Sequence, residues 1–207
     1  MSPNAALEKH ARVAWNDYLT WPANERWEII DGTPHAMSPS PELPHQQVVG
    51  NLYAELKRQL KGGKCMPILS PMDVKLSEHD VVQPDLMVIC DPKQLKSRIE
   101  GAPTLVVEVL SESSIAHDRV TKMRLYERFK VKEYWIITPL PGVIEVYQLK
   151  KGKLTSWNNF SVGDELTSPA FPKLAIDLAD VFDLRPSSDQ RQLRVIKEAP
   201  ARYGRKS

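Results

Sequence analysis

Residues 104–110 read TLVVEVL, and residues 81–90 read VVQPDLMVIC. The first stretch is apolar apart from its first residue and Glu108, which is typical of a strand buried on both faces. The second is continuously apolar after Pro84 and Asp85, and a proline within a sheet stands at an edge or at the start of a strand. We therefore predict two central strands, Val81–Cys90 and Thr104–Leu110, each of which carries one acidic residue.

Amphipathic helices are predicted on both sides of these strands. Between Gln46 and Leu60 apolar residues recur at steps of three and four, and a second such pattern runs from about His117 to Lys130. The other predicted elements are a helix over Leu7–Leu19, strands at Arg26–Ile30, Met72–Leu76 and in EYWIITP (133–139), a hairpin over 143–160 with a Lys-Gly turn, and a strand and helix within Pro172–Phe182. A strand, a helix and a further strand in succession place a helix across a sheet. We therefore predict an α/β (α+β) fold with a mixed β-sheet flanked by helices.

One domain accounts for most of the chain. With 42% hydrophobic and 26% charged residues, the 207 residues can build a sizeable core without a disulfide or a structural metal. Residues 185–207 differ, because they carry a net charge of +5, which leaves −3 on residues 1–184 out of a total of +2. We predict a folded domain over 1–184 and a basic, flexible tail over 185–207. The tail would suit contact with phosphates, although a solvated terminus is the simpler explanation.

The cysteines and the apolar pattern bear on the cellular compartment. Cys65 and Cys90 stand 25 residues apart with no CxxC motif or Cys/His cluster near them, so neither a zinc site nor a disulfide is indicated. No stretch resembles a signal peptide or approaches the ~20 apolar residues of a membrane span. We predict a protein of the cytoplasm that has no membrane partner.

Asp85 and Glu108 are out of place in apolar strands, and such residues tend to mark functional sites. A buried carboxylate has to be paired, protonated or bound to a metal. Each has a structural alternative: Asp85 as a turn residue, and Glu108 as a strand-end residue that faces solvent or pairs with a helix. Two carboxylates on neighbouring strands nevertheless suit one hard cation with oxygen ligands. We predict a site for Mg²⁺ or Mn²⁺, since zinc would favour His or Cys.

An ordered set of motifs carries a family resemblance. PD (84–85) is followed by the glutamate of VVEVLS (106–111), by D-R-x-x-K-x-x-x-Y (118–126) and by V-K-E-Y-W-I (131–136). Upstream of them stand W-E-I-I-D-G (27–32), M-S-P (37–39) and H-Q (45–46). Over roughly residues 20–185 the chain resembles the Uma-type restriction endonuclease family, within the PD-(D/E)xK nuclease superfamily.

The resemblance implies a restriction-endonuclease-like core and a metal-dependent endonuclease that hydrolyses phosphodiester bonds, with DNA as the expected nucleic acid. The cation would be held by Asp85, Glu108 and the backbone carbonyl of Val109, would lower the pKa of a water molecule and would neutralise charge on the phosphate. The chain departs from the superfamily motif at the third position of ExK, which is Leu110 instead of lysine. In the family that it resembles, a lysine on the following helix takes that role, and the matching residue is Lys122.

Helix geometry predicts where Lys122 points. Asp118, Lys122, Leu125, Tyr126 and Phe129 fall at steps of three or four and so share one face. The last three should be buried against the sheet, which directs the charged pair toward the sheet and its carboxylates as well. The alternative is a lysine that extends to solvent and pairs with the aspartate alone.

Three residues are expected to support the site. Glu28 and His45 match positions of the family that the chain resembles, and Asp118 lies one helical turn before Lys122. A lone histidine at a helix start is more often a cap or a packing residue, so His45 has that reading as well.

A second function class remains open from the sequence. A catalytically weakened nuclease-fold module that binds nucleic acid or protein is the alternative, and Leu110 favours it. Enzymes that cut both strands are often two-fold symmetric, so we also expect a homodimer.

Overall fold

The computed structural model describes residues 12–22, 24–37 and 41–183. The predicted helix over Leu7–Leu19 falls only partly within these ranges, where Trp15–Tyr18 forms a single turn, α1. The predicted basic tail, 185–207, lies outside them. The longer helices are α2 (Leu43–Gln59) and α3 (Met123–Arg128), and α3 continues a π-helical segment, His117–Lys122. A 3₁₀ turn, Pro92–Gln94, and a short helix, α4 (Leu178–Val181), complete the described helical elements.

Thirteen strands are present in the described residues. In chain order they are β1 (Trp27–Ile30), β2 (Thr33–Ala36), β3 (Met66–Leu69), β4 (Val74–Ser77), β5 (Asp80–Val82), β6 (Leu86–Ile89), β7 (Ile99–Glu100), β8 (Leu105–Val109), β9 (Glu133–Thr138), β10 (Val143–Lys150), β11 (Lys153–Ser161), β12 (Glu165–Thr167) and β13 (Ala175–Asp177).

The main sheet has six strands in the order β11-β10-β9-β8-β6-β3. Only β8 and β9 run parallel in it, and the helical stretch 117–128 connects them. The other neighbours are antiparallel. The predicted mixed sheet flanked by helices is confirmed, and β3, which the sequence pattern did not predict, forms one edge.

The prediction of a single strand over Val81–Cys90 was wrong. Val81 and Val82 belong to β5 in a separate five-stranded sheet, ordered β2-β1-β5-β4-β7, whereas Leu86 begins β6 in the main sheet. The chain passes from one sheet to the other through Gln83, Pro84 and Asp85. Proline has no N–H to donate to a ladder, which suits a residue that lies between two sheets.

Apolar residues cover both faces of the central strands β6, β8 and β9, as expected for strands without polar alternation. On one face Leu86, Val107 and Trp135 pack with α2. On the other, Met87, Val106 and Tyr134 pack with α3 and with the five-stranded sheet. Because side chains alternate along a strand, Glu108 shares the second face with Val106 and Leu110.

Two tight turns have the backbone that their sequences predict. Asp31 and Gly32 join β1 to β2 with φ of 52° and 75°, and Lys151 and Gly152 join β10 to β11 with φ of 49° and 81°. Positive φ at both central residues is the signature of the turn that best matches the twist of a hairpin. At Gly32 a β-carbon would also lie 2.5 Å from Cβ of Arg12, so a larger residue has no room there.

No disulfide was indicated by the spacing of the cysteines, and that interpretation was wrong, because Cys65 and Cys90 form one. The pairs Met66–Ile89 and Leu69–Leu86 define the antiparallel register of β3 and β6, and the same register places the two cysteines opposite each other just beyond the strand ends. Their Cα atoms are 4.0 Å apart. Spacing along the chain does not reveal such a contact, because strand pairing alone creates it.

No helix within the described residues is long and apolar enough to cross a membrane.

Candidate active site

Glu108 is the only charged residue of β8, and 3% of its surface is exposed. Its Oε1 atom accepts hydrogen bonds from Lys122 Nζ at 3.0 Å and from the Tyr126 hydroxyl at 2.7 Å. Both donors come from the helical stretch packed on this face of the sheet. The carboxylate is therefore paired within the protein and does not face solvent at a strand end.

Asp85 lies where the chain enters the main sheet, next to Glu108. The register of β6 and β8 pairs Leu86 with Val107, so one step further it places Asp85 opposite Glu108. Side chains in such directly opposed positions project from the same face with Cβ atoms typically ~5 Å apart. Asp85 Oδ2 also accepts a hydrogen bond of 2.9 Å from the Val109 backbone N–H, which ties the aspartate to the end of β8.

Lys122 is buried with its ammonium among three carboxylates. Nζ lies 3.0 Å from Glu28 Oε1, 3.0 Å from Glu108 Oε1 and 3.4 Å from Asp118 Oδ1, and 4% of the residue is exposed. The solvent-directed alternative, in which Lys122 pairs with Asp118 alone, does not describe this geometry. The turns that carry both residues are π-helical, a rare local form that is frequent at functional sites.

Glu28 reaches this ammonium from the five-stranded sheet. It lies on β1, is 2% exposed, and accepts a 2.9 Å hydrogen bond from the Gln83 backbone N–H. Its second oxygen, Oε2, lies 3.3 Å from His117 Nε2. Glu28, Glu108 and Lys122 thus bring together both sheets and the helix at one point.

His45 contacts the site from the first turn of α2. Its Nε2 atom lies 3.2 Å from Asp85 Oδ2, so the ring contacts the candidate site. Its Nδ1 atom is buried and has no hydrogen-bond partner within the part of the chain that is described. The aspartate side chain is still 22% exposed, and the histidine side chain 13%, so this side of the site is the more open one.

The charges of the site are unbalanced. Burial raises the pKa of Glu108 well above its usual value, and the nearby carboxylates Asp118, Asp85 and Glu28 raise it further against the attraction of Lys122. The pKa of Asp118 is also raised, first by burial. Glu28, Glu108 and Asp118 contact the one ammonium, and Asp85 adds a fourth carboxyl group beside Glu108. This excess of carboxyl groups over ammonium groups favours an additional cation.

Glu28 and Lys122 are shifted toward their charged forms. Burial acts to raise the pKa of Glu28, but Lys122, the hydrogen bond of His117 and the Gln83 N–H together lower it to about 2. Burial acts to lower the pKa of Lys122, but the attraction of the surrounding carboxylates, Glu108 first, raises it well above its usual value. The buried lysine is therefore held as an ammonium ion.

Sequence reasoning missed several partners of these groups. His117 and Gln83 both bind Glu28, and the ring of His35 lies 4.8 Å from that of His117. Tyr126 was assigned only to the buried face of its helix. The contacts of His117 and Gln83 with Glu28 span 89 and 55 residues of sequence, so no local pattern could reveal them.

The residues present fit a hard divalent cation at Asp85 and Glu108. In the described part of the chain, Asp85 Oδ1 and Glu108 Oε2 accept no hydrogen bond, whereas the other oxygen of each carboxylate is occupied. Two carboxylate oxygens on one face match the donors that Mg²⁺ uses, with water or substrate completing the shell. Among the described residues, no group of three His, Cys, Asp or Glu side chains is arranged to hold a metal ion.

The sequence also matches a known protein family. A family model described as "Putative restriction endonuclease", Uma2, matches residues 15–179, which include every residue of the candidate site. The chain belongs to the Uma2 family. An uncharacterized protein of Synechocystis sp. is 31% identical over 151 residues, which are 70% of this chain and 77% of that protein.

The fold of this Uma2 protein also matches a solved structure. The crystal structure of "a putative nuclease belonging to DUF820" from Anabaena variabilis superposes with a TM-score of 0.67 at 16% identity, covering 82% of this chain and 97% of that one. The predicted restriction-endonuclease-like fold is confirmed. At that identity the likeness concerns the fold alone.

Proposed function

We propose that this Uma2 protein is a metal-dependent endonuclease that hydrolyses phosphodiester bonds of DNA with Mg²⁺ or Mn²⁺. The observation that supports it best is the position of Lys122. Its ammonium lies 3.0 Å from Glu108, although the residue two positions after Glu108 in the strand is the buried Leu110. A lysine from the helix thus supplies the charge that the PD-(D/E)xK motif places on the strand.

Asp85, Glu108 and the Val109 carbonyl would hold the cation at the end of β8. Such a cation would lower the pKa of a water molecule and polarise the phosphate. The Val109 N–H and His45 orient Asp85, while Lys122 and Tyr126 orient Glu108. Each ligand thus has its outer partners, which commonly set both the geometry and the affinity of a metal site.

Lys122 would act on the scissile phosphate. Hydrolysis adds water to phosphorus and breaks one P–O ester bond, so negative charge builds on the phosphoryl oxygens in the transition state. An ammonium held in place by Glu28, Glu108 and Asp118 can stabilise that charge without reorganising. Its pKa is held high, so it acts as a charge and not as a base.

The decisive experiment is incubation of the full-length protein with plasmid DNA and with an RNA of similar length, each in Mg²⁺, Mn²⁺ or EDTA. We expect DNA cleavage with either metal and none in EDTA, and loss of cleavage in Asp85→Ala. Glu165→Gln is the matched control, because it removes a carboxylate charge from an exposed position of β12. Cleavage that survives in EDTA or in Asp85→Ala would contradict the proposal.

Binding without cleavage is the outcome that favours the alternative, a catalytically weakened binding module. A gel-shift titration of the same DNA, run in Ca²⁺ to limit turnover, measures that binding directly. The proposed homodimer is tested in the same preparation by light scattering, with and without DNA.

A further inference from the structure

Tyr126 is a buried tyrosine whose side-chain hydroxyl is directed at the candidate metal site. It is 0% exposed, and its hydroxyl donates a 2.7 Å hydrogen bond to Glu108 Oε1. Lys122, one helical turn earlier, donates to the same oxygen at 3.0 Å. Two donors from one helix therefore converge on one of the two oxygens of Glu108.

These two donors are not equivalent. The Lys122 ammonium is shared with Glu28 and Asp118, so its position is a compromise among three carboxylates. The Tyr126 hydroxyl donates a single hydrogen bond, and that bond goes to Glu108. The terminal torsion of a glutamate has a broad, roughly two-fold preference, so one shared donor does not define the plane of the carboxylate. A second donor at a different angle defines that plane.

We propose that Tyr126 is a positioning residue that sets the affinity of this site for a divalent cation. By holding Oε1 toward the helix, it leaves Oε2 of Glu108 available beside Asp85. This inference rests on the proposed function, because it takes Glu108 as a metal ligand. Loss of such an outer hydrogen bond typically weakens metal binding by roughly 10- to 100-fold.

The chain offers a closely matched control in Tyr134. This residue is also 0% exposed, and its ring packs edge-on against that of Tyr126 with centroids 5.0 Å apart. Its hydroxyl, however, donates to the backbone carbonyl of Asp118 at 3.2 Å and not to Glu108. Tyr126→Phe and Tyr134→Phe thus remove the same group from the same cluster, but only the first removes a donor to the carboxylate.

The test is calorimetric titration of the full-length wild-type protein and both variants with Mn²⁺ and with Mg²⁺, after circular dichroism has established that each is folded. We expect Tyr126→Phe to bind about 10-fold more weakly and Tyr134→Phe to bind within about twofold of wild type. In the cleavage assay, Tyr126→Phe should need more metal for half-maximal rate, while its rate at saturating metal falls less than the affinity does.

The possible results separate this inference from the proposed function. If wild type binds the metals and Tyr126→Phe binds them equally well, the positioning role is wrong while the metal site stands. If wild type binds neither metal, the proposed function itself fails. Should Tyr126→Phe alone lose its fold, the hydroxyl has a structural role and the positioning role is overturned.

Discussion

Lys122 and Glu108 form a buried ion pair between a helix and a strand, with Nζ 3.0 Å from Oε1 and both residues less than 5% exposed. Removing one partner of such a pair costs more than the pair contributes, because the remaining charge stays buried without compensation. Here the consequence is larger than for an isolated pair, since Glu28 and Asp118 depend on the same ammonium.

Lys122→Met should slow DNA cleavage by about a hundredfold, the effect of losing one preorganised donor to the transition state. It should also lower the free energy of unfolding without metal by about 3–5 kcal/mol, because the carboxylates lose their cation. Cleavage kinetics and urea unfolding measure the two effects. Lys132→Met, at an exposed position, is the control and should change neither quantity appreciably. Near-normal turnover in Lys122→Met would contradict the role proposed for Lys122.

Moving the lysine to the strand should restore part of the activity. Leu110 lies two residues after Glu108, the position of lysine in the PD-(D/E)xK motif, and is 8% exposed. In the double variant Leu110→Lys, Lys122→Met an ammonium group again lies near Glu108, but it comes from the strand and not from the helix. We expect turnover about tenfold above that of Lys122→Met alone, measured on the same plasmid. Equal rates for the two proteins would show that the position of the charge on the helix matters in itself.

Asp85→Asn should raise the melting temperature without metal and abolish stabilisation by metal. Asparagine can still accept the hydrogen bonds from Val109 N–H and His45, but it no longer repels Glu108. Relief of about 1 kcal/mol corresponds to a rise of ~2–4 °C in a protein of this size. At a Mg²⁺ concentration of about 100 times Kd, the free energy of unfolding of wild type should rise by ~2.7 kcal/mol, and that of the variant should hardly change. Equal metal-induced shifts, seen by differential scanning fluorimetry, would argue against the site.

Glu28→Gln tests the pH dependence that follows from the lowered pKa of Glu28. The pKa is about 2 in the folded protein, against an ordinary value of 4.5. A carboxyl group with a lowered pKa stabilises the fold above its ordinary pKa, and that contribution disappears as the pH falls toward the folded value. The free energy of unfolding of wild type should therefore exceed that of the variant by on the order of 3 kcal/mol above pH 5, and this difference should narrow toward pH 2. Urea unfolding at several pH values measures this difference, and a gap independent of pH would contradict it.

The disulfide between Cys65 and Cys90 should make stability sensitive to reductant. Closing a loop of 25 residues stabilises a fold by about 3.5 kcal/mol in the chain-entropy model. Reduction with dithiothreitol should lower the free energy of unfolding of wild type by about that amount. The double variant Cys65→Ser, Cys90→Ser should behave the same with and without reductant. Two free thiols in the native, unreduced protein would show that the bond does not form in solution.

The sequence by itself determined the elements whose signals are local. The stripe of α2, the apolar run of β8 with one glutamate, and the Lys151-Gly152 turn each follow from side-chain periodicity or backbone preference. The direction of Lys122 was predictable for the same reason, because helix geometry ties it to Leu125 and Tyr126, which must be buried.

Only the tertiary structure decided which distant groups meet. The chain passes from the five-stranded sheet to the main sheet at Gln83–Asp85. This crossing brings Glu28 to Lys122 across 94 residues of sequence. The pairing of Cys65 with Cys90 and the contact of His45 with Asp85 arise in the same way. Each depends on strand register or on helix packing against a sheet, and these are set by the burial of many apolar residues together. A carboxylate or a cysteine carries no local signal of the partner that such packing will bring to it.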